Sequence, residues 1–154
     1  MTADDSFEVR NSVPDIAAEL FESYCESKGY KYYKMGFDAK ENLVEKFWLY
    51  PASIRHLPDY SLEKDGKVRF IQVKGTSKLK IEDLIEYSKF EDTLDPTKQS
   101  LHIAFCFNGY RPIILSMSTV KQHMLGRYIQ CFDNDKKHYI DLAIKEKYQS
   151  HKLL

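Results

Sequence analysis

An acid, an amide and an amine, Asp59, Gln72 and Lys74, stand either side of a short turn in the stretch Pro58-Asp59-Tyr60-Ser61-Leu62-Glu63-Lys64-Asp65-Gly66-Lys67-Val68-Arg69-Phe70-Ile71-Gln72-Val73-Lys74-Gly75. Gathered on one patch, they suit a hard divalent cation acting on a phosphodiester. Mg²⁺ takes few carboxylates, keeps several waters and uses phosphate oxygens. Asp59 anchors such a cation. Gln72 brings a neutral side-chain oxygen that ligates or positions a water, and the backbone carbonyl of Val73 supplies a further ligand. Lys74 orients or helps deprotonate the attacking water and stabilises the charge that grows in the transition state.

The element that must gather them is a hairpin. Runs with β-branched and aromatic residues flank Asp65-Gly66, the dipeptide that readily supplies the two positive φ angles of a type I′ turn. With Lys64 opposite Lys67, the ladder places Asp59 across from Gln72, with Cβ atoms of opposed residues about 5 Å apart. Alternation then puts Asp59, Ser61, Phe70, Gln72 and Lys74 on one face and Leu62, Arg69, Ile71 and Val73 on the other. A four-residue loop over 63–66 would shift the pairing by two and keep Asp59 with Gln72, whereas a three-residue loop would separate them.

Upstream, Val13, Ile16, Ala17, Leu20, Phe21 and Tyr24 recur at helical spacing, with Asn11 or Ser12 as N-cap, Pro14 in the first turn and Gly29 as the stop. Glu19 falls about 60° from Ile16, at the margin of that stripe, and Glu22 further into the polar side. A margin acid packed beside the hairpin adds the charge that Gln72 lacks. Tyr30 to Gly36 reads as a first strand, 37–43 as a loop and Phe47 to Tyr50 as a short buried strand or turn. Arg55 and His56 read as edge residues. After a basic loop over Thr76 to Lys80, apolar spacing predicts a helix from Ile81 to Phe90. Strands follow at 101–108 and 112–117, then a short helix over 118–125 capped by Ser118, and a late hairpin of 127–132 with 138–144. Lys78 and Lys80 sit just past the patch, where phosphates meet side chains and backbone N–H groups. Tyr87 and Lys89 are weaker binding candidates on the second helix.

The Pro58-Asp59 pair, then Gln72-Val73-Lys74 after a hairpin, preceded by a helix carrying Glu19, resemble the PD-(D/E)xK nuclease superfamily in its Q-x-K variant, as in Mrr-like restriction endonucleases and the Holliday-junction-resolvase-like core. The resemblance covers roughly two thirds of the chain. It implies an α/β fold, a restriction-endonuclease-like mixed β-sheet core flanked by helices in the order α, three β, α, β. It also implies catalytic Glu19, Asp59, Gln72 and Lys74, and a metal site of Glu19, Asp59, Gln72 and Val73 for Mg²⁺ or Mn²⁺. The expected activity is metal-dependent hydrolysis of phosphodiester bonds, of DNA in preference to RNA. Because Gln replaces the commoner acid, the alternative is an inactive nuclease-like domain that binds nucleic acid or protein. A Cys-His hydrolase and a phosphate-binding glycine loop have no motif behind them.

The 154 residues are read as one domain, 1–154, with a core over about 13–117 and the late hairpin and tail over 127–154. Twenty-three basic and 23 acidic residues balance overall, but the distribution is uneven. Residues 1–27 carry seven acids against Arg10, and 67–89 carry six bases against three acids, so basic excess sits just after the hairpin. Cys25, Cys106 and Cys131 are widely spaced in apolar runs, as free thiols in a reducing, cytoplasmic compartment would be. No apolar run reaches the length of a membrane span. Membrane partners are not expected, and symmetric cutting of duplex DNA calls for a homodimer.

Overall fold

Asp65 and Gly66 both adopt positive φ, 55° and 75°, so the turn between β2 (Tyr60–Lys64) and β3 (Lys67–Lys74) is of the two-residue kind, and Lys64 pairs with Lys67. The computed structural model describes residues 16–35, 57–124, 129–131 and 138–144. Within these the chain runs α1 (Ile16–Lys28), β1 (Tyr32–Lys34), β2, β3, β4 (Lys78–Lys80), α2 (Ile81–Asp92), β5 (Gln99–Phe105), β6 (Ile113–Ser116), α3 (Met117–Met124), β7 (Ile129–Cys131) and β8 (His138–Asp141). The readings for 37–43, Phe47 to Tyr50, Arg55 and His56, and the N-cap at Asn11 or Ser12, lie outside the described residues.

Five strands form a mixed sheet in the order β1-β2-β3-β5-β6. β1, β2 and β3 are an antiparallel meander, β3 and β5 are parallel, and β6 returns antiparallel on β5. A parallel pair needs a crossover, and α2 lies within it. Each face is covered by a different layer. α1 sets Phe21 and Cys25 against Tyr60, Leu62, Ile71, Ala104 and Cys106. On the other face, Leu84 and Tyr87 of α2 pack with Leu101, Ile103, Phe105 and Leu115, and Phe90 meets Phe70 edge-on. β5 is apolar without interruption over Ile103–Phe105 because both of its faces are buried. Burying a side chain as fully as Phe21 or Ile71 contributes about 1.5–3 kcal/mol each.

Two local expectations are corrected. Lys78 to Lys80 is not a loop: Leu79 is buried, and the segment pairs with β8 in a second sheet of order β4-β8-β7. α3 is capped by Ser116 rather than Ser118, since the Ser116 hydroxyl accepts from the Thr119 N–H at 3.3 Å. Among the described residues no helix is long and apolar enough to cross a membrane.

Candidate active site

The segment entering β2 is tied across the sheet at Asp59. Its N–H donates to the Ile71 carbonyl at 2.9 Å, and its carbonyl accepts from the Met35 N–H at 2.8 Å. Pro58, which has no N–H to lose, is buried beside it. With the backbone fixed, the Asp59 carboxylate accepts the Val73 N–H at 2.8 Å. The N–H and C=O of one strand residue point to the same side, so the Val73 carbonyl is also directed toward Asp59. Gln72, only 4% exposed, donates its amide to the Leu57 carbonyl at 3.1 Å. It thereby holds the approach to Asp59 against β3.

Lys74 lies at the end of β3 on the α2 face. Its ammonium is 3.4 Å from Asp83, with the two side chains 24% and 18% exposed, and 5.4 Å from the centroid of the Tyr87 ring. Asp83 and Tyr87 are four residues apart and so share one side of α2. Burial by itself would pull the Lys74 pKa down, but Tyr87, Asp83 and Asp59 outweigh it and hold the pKa above its ordinary value. Lys74 is therefore an ammonium at neutral pH and donates to the Tyr87 oxygen. Burial, with Asp83 and Asp59, pushes the Tyr87 phenol up to about 12 against the pull of Lys74. Tyr87 is thus a neutral, buried phenol.

The structure brings Asp59, Gln72, Val73 and Lys74 together as the hairpin register anticipates. It does not bring Glu19, which is exposed. The helix acids that reach the sheet are Glu22, which accepts hydrogen bonds from Tyr60 and Tyr32 and lies 3.8 Å from Lys34, and Glu26, which accepts from Tyr32 at 3.0 Å. The reason is the true centre of the buried stripe. Ile16 is 47% exposed while Phe21 is fully buried. Around Phe21, Glu22 is about 100° away and Glu19 about 160°, so Glu19 is on nearly the opposite side of α1. Ala17, by contrast, faces Gly75, where an added Cβ would stand 3.5 Å from its own.

Lys78 is exposed on β4, and Lys80 is the extended residue that precedes α2. Tyr87 is 2% exposed and cannot stack on a base, and Lys89 pairs with Glu86 on the surface. Sequence reading misses Asp83. Its spacing puts it on one side of a helix with Tyr87, but no spacing in the chain directs that side to Lys74.

The oxygens of Asp59, Gln72, Val73 and Asp83, with no sulfur or imidazole among them, are of the kind that a hard cation takes. Among the described residues no three acidic, histidine or cysteine side chains gather as a metal cluster. A cation here would be held by two carboxylates and neutral oxygens, which suits an ion that keeps much of its water. Comparison of the chain with protein-family models and with curated proteins finds no match.

Proposed function

We propose that this chain is a metal-dependent nuclease that hydrolyses phosphodiester bonds, of DNA in preference to RNA, on a restriction-endonuclease-like core of the PD-(D/E)xK kind. The observation that carries this reading is the pairing of the Lys74 ammonium with the Asp83 carboxylate of α2, in the field of Asp59, whose carboxylate is itself fixed on the Val73 backbone. Within the five-stranded sheet the order helix, three strands, helix, strand supports it, β4 belonging to the second sheet. Asp59, the Gln72 amide oxygen and the Val73 carbonyl would hold Mg²⁺ or Mn²⁺, with Asp83 in place of the exposed Glu19 as the second carboxylate. Bound there, the cation would make water more acidic and offset the charge on the phosphate.

The protein groups then divide the work. Lys74 is protonated, so it donates hydrogen bonds to phosphate oxygens rather than accepting a proton, and it stabilises the charge that develops on them. Asp83 and Tyr87 fix the ammonium in position. Lys78 and Lys80 contact the flanking backbone phosphates. Two copies of the chain would serve the two strands of a duplex.

The test is cleavage of plasmid, linear and branched DNA with Mg²⁺ or Mn²⁺ by the wild type, Asp59→Ala and Lys74→Ala. Removing one such group costs about 10²-fold or more. Equal activity in all three would overturn the proposal. A second reading, a nuclease-like domain that binds without cutting, is favoured by the neutral Gln72 whose amide is committed to Leu57. It expects metal-independent DNA binding that survives Asp59→Ala.

A further inference from the structure

Among the described residues, the sheet face turned away from α2 is covered only in part. α1 closes over Tyr60, Ile71, Ala104 and Cys106. Where it ends, at Lys28, a groove of about 750 Å³ opens above Leu62, Ile71 and Ile114. The register places Leu62 opposite Arg69 in one row of side chains and Ile71, His102 and Ser116 side by side in the next, so two adjacent rows lie beneath it.

The rim is cationic. Lys28, Lys31, Lys64 and Arg69 line it, among the described residues, against a single acid, Glu63. Among the described residues none of these four cations is in an ion pair. The Lys64 ammonium stands 5.5 Å from the centroid of the Tyr30 ring, which prolongs the apolar floor up one wall. His102 engages Ser100 through Nε2 at 2.9 Å. No enclosed side-chain nitrogen or oxygen among the described residues lacks a partner, so its Nδ1 is left to the groove. Burial and the neighbouring Arg69 keep that imidazole uncharged at neutral pH, able to hydrogen-bond a neutral polar atom.

We propose that this groove binds a phosphorylated aromatic molecule of nucleotide size, its phosphate among Arg69, Lys31 and Lys64 and its ring on Leu62, Ile71 and Ile114 within reach of His102. The volume lies in the range of small-molecule sites, which combine an apolar lining with a few placed polar groups. Four unpaired cations exceed what one carboxylate would neutralise, and a phosphate dianion with three oxygens matches them better. This site is on the opposite sheet face from Lys74 and does not rest on the nuclease reading.

The experiment is a titration of the ¹⁵N-labelled full chain followed by amide shifts, with adenosine 5′-monophosphate, adenosine and inorganic phosphate as separate probes. The nucleotide should shift residues around Leu62, Arg69 and His102 at up to about millimolar concentration and bind more tightly than either fragment. Arg69→Ala should weaken it about tenfold or more, as loss of a charge-assisted contact does, and Lys74→Ala should leave it unchanged. Arg69 is exposed, so an unchanged unfolding temperature in Arg69→Ala checks that the fold is kept. A 5′-phosphorylated oligonucleotide that shifts the same residues supports the same pocket chemistry with a strand end as its source. Absence of shifts there, shifts around Lys74 instead, or equal affinity for the nucleotide and either fragment would overturn the proposal.

Discussion

Lys74 carries its charge in a place where burial opposes it, and the groups that reverse that cost define its use. Tyr87 and the two carboxylates keep it protonated, so its contribution is a fixed positive charge. Lys74→Ala should therefore lower cleavage by about 10²-fold or more, and Lys74→Arg should recover part of it, since guanidinium keeps the charge in a different geometry. Steady-state cleavage assays measure both, and an arginine variant as inactive as alanine would show that charge is not the property in use. Tyr87→Phe keeps the ring and removes the hydroxyl. Loss of that hydrogen bond should cost about 1 kcal/mol in stability, read from chemical denaturation. Activity should fall less than in Lys74→Ala, because Asp83 still holds the ammonium.

At the scale of elements, the hairpin was legible because its information is local. Asp65-Gly66 sets the turn, the turn sets the register, and the register sets which residues share a face. Gly66→Val puts a β-branched residue at φ 75° and should cost about 1–2 kcal/mol, seen as a lowered denaturation midpoint with the far-ultraviolet spectrum retained. α1 was legible as a helix but not in its rotation. Glu19 and Glu22 differ by 60° around the axis on an ideal helix, and only packing against Tyr60 and Ile71 decides that Phe21, not Ile16, is central. Asp83 was illegible for a related reason. Its link to Lys74 depends on how α2 lies across the sheet, which follows from the parallel pairing of β3 with β5 and from no spacing in the chain. The strand at Lys78–Lys80 likewise exists because β8 pairs with it, some sixty residues later.

For the whole molecule, the two sheet faces carry opposite assignments of charge. One presents an ammonium paired with an acid at the end of β3, and the other an uncharged imidazole among cations in the middle of β5. The second has a consequence for stability. Burial first, and then Arg69, lower the His102 pKa from 6.5 to about 4, with Glu91 opposing them weakly. An unfolded chain binds a proton at this histidine as pH falls through 6.5, whereas the folded chain does not until about 4. Between those values the unfolded state holds more protons, so stability rises with pH. The contribution of His102 is present in full above 6.5 and is lost progressively down to about 4. Carboxylates such as Asp95, whose pKa is lowered by Thr97, add a loss of the same sign at lower pH, so a single curve does not isolate the histidine. The difference between wild type and His102→Asn does. Denaturation free energies measured from pH 7 to pH 4 should converge as pH falls, because the variant has no such proton to exclude; parallel curves would refute the account.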